Sequence, residues 1–150
     1  MTVIANSYGL LSDEDLVAFE AKSGLVLPPK YRAFLLRNNG GQPVPDSFQI
    51  PGWGGVDSCV QRFFGIHDGT NSNLDLNIKF YANRIPRPFI PIGIDPAGNI
   101  LCVGYEHSLV DCVYFWDYED ELDENGESKL DMSNMYLVAE SIDELCDSLR

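Results

Sequence analysis

"LPPKYRAFLLRNNGG", residues 27–41, carries the pattern from which the fold is read. Its two prolines stand where a helix tolerates them, in the first turn, and Tyr31, Phe34 and Leu35 recur at the spacing of an apolar helix face. Asn38, Asn39, Gly40 and Gly41 then end that helix, since Asn competes for backbone partners and Gly takes the left-handed conformation of a stop. Just upstream, "LLSDEDLVAFEAKSG" (10–24) predicts another helix over about Asp13–Ser23. Ser12 and Asp15 have the spacing of a capping box, Leu11 and Leu16 that of a hydrophobic staple, and Gly24 suits the stop. Leu16 and Phe19 share a face. Two short tandem helices cannot bury their apolar faces on each other alone, so a sheet must complete the core.

The rest of the chain supplies that sheet. Residues 42–58 are rich in Pro and Gly and suit a loop with a short edge strand at about Phe48–Ile50. "VQRFFGI" (60–66) reads as a buried strand. In "SNLDLNIKFYANRI" (72–85) Leu74, Ile78 and Tyr81 fall on one helical face, although Leu74, Leu76 and Ile78 also alternate as in a strand. Helix is preferred, because Asn73 can cap it and Pro86 can end it. "FIPIGIDPAGNILCVGY" (89–105) predicts a hairpin with strands at about Phe89–Ile94 and Asn99–Tyr105, turned by Asp95, Pro96 and Gly98. "DCVYFWDY" (111–118) is dense enough in β-branched and aromatic residues for a central strand. "MYLVAES" (135–141) adds a last strand, and Ser141 with Glu144 forms a second capping box opening a helix over Ile142–Leu149. The order favours an α+β fold with a mostly antiparallel mixed sheet braced by helices, in a single domain spanning residues 1–150.

A formal net charge of -13 argues against nucleic acid and anionic membrane as partners, because both are bound through Lys and Arg. The same charge serves solubility or steers a cationic partner, and composition alone leaves both readings open. No basic residue precedes Lys22 and no apolar run reaches the length of a signal or membrane segment, which leads to a cytoplasmic expectation. Cys59, Cys102, Cys112 and Cys146 lack metal or disulfide-scaffold spacing and read as small, reduced, mostly buried hydrophobes.

The most conspicuous chemistry is "DYEDELDENGESKLD" (117–131), eight carboxylates and one lysine in fifteen positions. Three readings compete: a metal site, a solvated loop, or a face that meets a basic partner. As a calcium loop with Gly126 in the sixth position, it offers Glu121, Asp123 and Asn125 at positions one, three and five. Position twelve is then Met132, without the closing bidentate carboxylate, so no metal is expected. His67 in "GIHDG" and His107 in "YEHSL" are the only histidines available as a catalytic base, and both read as turn residues. No nucleophile elbow, P-loop, zinc-protease or dinucleotide fingerprint accompanies them, so neither a catalytic residue nor a cofactor is expected. Trp53, in "PGWGGVD", either stacks on a ligand or caps the core.

The segments together resemble the SUKH superfamily. The resemblance rests on residues 27–41, with their leucine-proline opening, phenylalanine-leucine pair and asparagine-glycine-glycine close, and on Glu20 in the preceding helix. "FFGI" (63–66), "FIPIGIDPAGN" (89–99), "VYFWDYE" (113–119) and "AESIDELCDSL" (139–149) follow in order. The resemblance implies a non-catalytic α+β domain. Many bacterial members are similar to immunity proteins that bind and block a toxin domain, and eukaryotic relatives resemble cell-wall synthesis regulators acting as interaction hubs. The signature itself looks structural, whereas the acidic segment departs from it. A variable acidic face on a shared core is what partner-specific recognition needs.

The reading is therefore an immunity protein that occludes a cognate toxin of basic surface, a nuclease being the natural guess. The alternative is a regulatory interaction scaffold. Asp117, Tyr118, Glu119, Asp120, Glu121, Asp123, Glu124 and Trp53 are the expected partner-binding residues. Monomer and weak dimer both remain open.

Overall fold

The computed structural model describes residues 2–54 and 57–150. In chain order its elements are β1 (Val3–Ala5), α1 (Asp13–Ser23), α2 (Pro29–Arg37), β2 (Gln42–Val44), β3 (Ser47–Phe48), β4 (Ser58–Cys59) and β5 (Arg62–Phe63). They continue with α3 (Leu74–Phe80), β6 (Phe89–Ile94), β7 (Ile100–Gly104), β8 (Val113–Trp116), β9 (Met135–Ala139) and α4 (Ile142–Ser148). The main sheet has five strands in the order β5-β6-β7-β8-β9, every neighbour antiparallel, and two small antiparallel pairs, β1-β2 and β3-β4, lie outside it. Helices brace the sheet: α3 packs on β6, α4 on β9, and α2 on α4. This is the α+β architecture expected, with parallel pairing among the described residues confined to isolated bridges at Gly65–Asn73 and Gly104–Val110.

Local chemistry accounts for most of the element ends. Ser12 and Asp15 form a reciprocal capping box, Ser12 Oγ accepting the Asp15 amide and Asp15 Oδ2 accepting the Ser12 amide. Gly24 closes α1 in the left-handed conformation (φ 72°). Asn73 caps α3 by accepting the Leu76 amide at 3.1 Å, which decides for helix over strand there. Ser141 caps α4 through the Glu144 amide at 3.1 Å.

The "NNGG" close of α2 does more than stop a helix. Asn39 is buried and pairs with the backbone of Ile66, donating to its carbonyl at 2.8 Å and accepting its amide at 2.7 Å, as a strand neighbour would. Gly40 follows with φ 67°, and a Cβ there would lie 2.9 Å from the backbone of residues 63–65. Only glycine lets these two chain segments approach so closely.

Several boundaries differ from expectation. The strand expected near Phe48–Ile50 stops at Phe48, because its partner β4 is only two residues long. Asn99 belongs to the turn between β6 and β7, where its side chain serves Asp95. Strand β8 is internal, but β7 holds the centre of the sheet and is buried along its whole length. Strand β1 has no strong local signal and forms because β2 offers it a partner, with Val3 opposite Val44.

The N-terminus of α2 is capped from far away in sequence. Pro28 has no side-chain acceptor for the first amides. Buried Asp111 supplies one, its carboxylate accepting the amides of Lys30 and Tyr31 at 3.1 Å. A negative charge there also meets the positive end of the helix dipole. Asp111 has φ 67°, so glycine preserves its backbone. Asp111→Gly is expected to lower unfolding free energy by about 2 kcal/mol in urea denaturation, and Asp111→Asn by less, because Asn retains an acceptor.

Candidate partner-binding face

The root of the acidic segment is fixed by a buried carboxylate. Asp95, 3% exposed, sits where β6 turns into β7. Its Oδ1 accepts the amides of Ala97 (3.0 Å) and Asn99 (2.7 Å), and its Oδ2 accepts Ser58 Oγ (2.8 Å) and Asn99 Nδ2 (3.0 Å). Asn99, held in this way, accepts the Tyr118 amide through Oδ1 at 3.1 Å. From the other side Asn134 Nδ2 donates to the Asp117 carbonyl, and the Asp117 amide donates to the Asn134 carbonyl, both at 3.0 Å. The first residues beyond β8 are thus tied to both neighbouring strands.

Asp117 then caps a short 3-10 turn, Tyr118–Asp120, by accepting the Glu119 amide. Its other oxygen accepts Trp53 Nε1 at 3.0 Å, while the Trp53 ring lies 4.7 Å from that of Phe115. The structure therefore brings Trp53 and Asp117 together across 64 residues of sequence. Trp53 is half-buried and packed against the core. Tyr118 is exposed beside the turn glycine, and a Cβ at Gly98 would lie 3.5 Å from its ring.

Glu121 corrects the expected set. It is 8% exposed and turned inward, where Arg84 Nε and a terminal guanidinium nitrogen reach its two carboxylate oxygens at 3.0 and 2.8 Å. Ser128 Oγ adds a bond of 2.7 Å. The Arg84 guanidinium is itself stacked near Phe80 (5.0 Å), Tyr81 (4.9 Å) and Trp116 (5.7 Å). A carboxylate so satisfied clamps the segment to the turn that follows α3.

Beyond Glu121 the chain doubles back in a small hairpin with Leu122 opposite Ser128. Asp123 organises its tip by accepting the amides of Asn125 (2.8 Å) and Glu127 (3.0 Å). Glu121 and Asp123, two of the oxygen donors of the calcium alignment, are thus engaged by Arg84 and by backbone amides. Among the described residues no group of three or more metal-ligating side chains comes together. Glu119, Asp120 and Glu124 remain exposed, Asp117 and Asp123 are half-buried, and Lys129 pairs with Asp120 at 2.7 Å.

The histidines occupy other sites. His107 is exposed in a 3-10 turn. His67 stacks on Tyr8 at 3.7 Å, and its Nδ1 accepts the Gly69 amide at 3.0 Å. It borders a cleft of about 570 Å³ between α1, α3 and the 66–70 loop, where Asp15, Asp68 and Asp75 also lie. None of these carboxylates makes a hydrogen bond that orients the imidazole. The four cysteines are free; Cys102 is buried and the others half-buried, with burial pushing the Cys146 thiol up to about 12. No helix of the described residues is long and apolar enough to cross a membrane.

Sequence reasoning singled out the acidic segment, Trp53 and the turn residue Asp95, but not Arg84, Asn99 and Asn134, which hold the segment, nor the tie of Asp95 to Asn99. The only advance signal was scarcity: with ten Lys and Arg against 23 Asp and Glu, a cation followed closely by proline turns invites a structural pairing.

An antiparallel sheet braced by short helices, with an acidic hairpin fastened beside it, defines an α+β domain. The SMI1 / KNR4 family (SUKH-1) matches residues 10–148, and the chain belongs to that family. Members of this family are often immunity proteins of toxin systems. The chain is also similar to the SPbeta prophage-derived uncharacterized protein YokK of Bacillus subtilis (strain 168), 26% identical over 165 residues, covering 99% of this chain and 80% of that protein.

The Arg84 bond holds the Glu121 carboxyl below its usual range, more than offsetting the opposing effect of burial. A depressed folded value means that this stabilisation is fully present above the ordinary glutamate range and is lost as pH falls through the folded value. Glu121→Gln is expected to destabilise by about 2 kcal/mol at neutral pH and to flatten the acid limb of stability. Thermal melts from neutral to acid pH check it; an acid limb as steep as wild type would remove Glu121 from that role.

Proposed function

We propose that this protein is a non-catalytic immunity protein, acting in the cytoplasm, that neutralises a cognate toxin domain by stoichiometric occlusion. The observation that carries the reading is the pinned acidic face. Glu119, Asp120 and Glu124 stand exposed on a segment whose root is fixed by Asn99, Asn134 and Arg84. Carboxylates in fixed positions attract a basic surface and repel wrong partners, and they do so without ordering a loop at the moment of binding. A nuclease domain fits this charge, since it carries a basic groove for its own substrate. Family membership supports the same reading. Protection calls for nanomolar affinity, about -12 kcal/mol, over an interface of about 800 Å² per partner.

The test is isothermal titration with the catalytically disabled C-terminal domain of the nearest upstream secreted protein, at low and at physiological salt. One-to-one nanomolar binding that weakens with salt is expected. Absence of heat with both proteins folded would favour an interaction scaffold resembling the cell-wall synthesis regulators. In stopped-flow mixing, the triple variant Glu119→Ser, Asp120→Ser, Glu124→Ser is expected to associate about tenfold more slowly at low salt and with a shallower salt dependence.

A further inference from the structure

Charge accelerates an encounter, but a long-lived complex also needs a desolvated anchor. Trp53 and Tyr118 are the aromatic candidates apparent from sequence, yet Trp53 is already committed to Phe115 and Asp117. A different apolar group stands free next to the acidic hairpin. Phe80, the last residue of α3, is 63% exposed, and Leu122, on the hairpin, is 57% exposed. Both are linked to the Arg84–Glu121 ion pair, Phe80 by contact and Leu122 through the chain. The Phe80 ring lies 5.0 Å from the Arg84 guanidinium and edge-on to Tyr81 at 4.9 Å, while Leu122 immediately follows Glu121. Leu76, one helical turn before Phe80, is also exposed and extends the apolar strip along α3.

Single exposed hydrophobics need no explanation. Phe80 differs in being held by a T-shaped contact with Tyr81 and a cation-π contact with Arg84, whose bidentate ion pair fixes Glu121, the residue before Leu122. The nearby cations are paired, Arg84 with Glu121, Lys79 with Asp75 at 2.9 Å and Lys129 with Asp120 at 2.7 Å. What Phe80 and Leu122 present outward is therefore apolar area on and beside an acidic segment whose Glu119 and Glu124 are exposed. The complement of such a surface is a basic protein face that contains an apolar socket.

We propose that Phe80 and Leu122 form the buried anchor of the interface, received by an apolar socket in the basic face of the toxin domain. This rests on the immunity reading above and assigns to α3 a part that the acidic segment alone does not supply. The division of labour is kinetic: the carboxylates set how fast the complex forms, and the Phe80–Leu122 anchor sets how long it lasts.

The experiment compares wild type, Phe80→Ala, Leu122→Ala and the triple serine variant against the disabled toxin domain by surface plasmon resonance, with melting temperatures as a folding control. The anchor variants are expected to raise Kd about thirtyfold almost wholly through faster dissociation, with association changed by less than about twofold. The triple serine variant should do the reverse. Phe80→Leu, which retains most of the apolar area, should recover a large part of the affinity. Wild-type binding with unchanged dissociation in both folded anchor variants overturns the anchor and leaves the immunity reading standing. No binding by wild type overturns both. A wild-type dimer in sedimentation that Phe80→Ala converts to monomer would make the patch a contact between copies of this chain and overturn the proposal.

Discussion

The buried carboxylate of Asp95 is the interaction on which the sheet and the face both depend. A charge taken out of water costs several kcal/mol unless its oxygens are satisfied, and no cation is used here. Four donors do it instead: two turn amides, the Asn99 amide group and the Ser58 hydroxyl. Each donor comes from a place the fold must fix. The turn amides set the register of β6 on β7, Ser58 draws in β4, and Asn99 passes the constraint to the Tyr118 backbone. One carboxylate thus couples the centre of the sheet to the start of the acidic segment.

Charge in this chain does two kinds of work. Asp95, Asp111, Glu20 and Glu121 face inward, where they accept backbone amides or hold arginines. Glu20 is instructive: it accepts the Leu27 amide at 2.8 Å and lies 3.5 Å from Arg32, joining α1 to the start of α2. Such acids belong to the scaffold. The net charge of -13 is consequently a poor measure of any docking surface, because several of its carboxylates never meet solvent freely. The charge that the proposed docking would use is the smaller exposed set at Glu119, Asp120 and Glu124, with Asp120 shared by Lys129.

What the sequence reveals and what it hides follow from the range of the interactions. The bounds of α1 are legible because the reciprocal Ser12–Asp15 bonds span three residues. The β6-β7 hairpin is legible because Asp95, Pro96 and Gly98 are turn residues in their own right. The cap of α2 is not, since its acceptor comes from 80 residues downstream. Nor does any local pattern separate Glu121 from the carboxylates around it. Its inward turn depends on Arg84, 37 residues before it, and on the aromatic cluster that receives that guanidinium. The segment was found by composition, whereas its orientation is tertiary.

This separation explains how one family scaffold accommodates a surface of its own. The residues carrying the resemblance work on the backbone: Asn39 imitates a strand against Ile66, Gly40 permits close approach, and Asp95 seals a turn. None of these tasks constrains a side chain that points outward between Asp117 and Asp131. The segment is nevertheless fastened at its root by Asn99 and Asn134 and further along by Arg84. Exposed positions between such fastenings can change charge or size while the backbone keeps its place. The scaffold therefore separates folding from recognition, with Glu121 as the point where an otherwise outward-facing segment is claimed by the core.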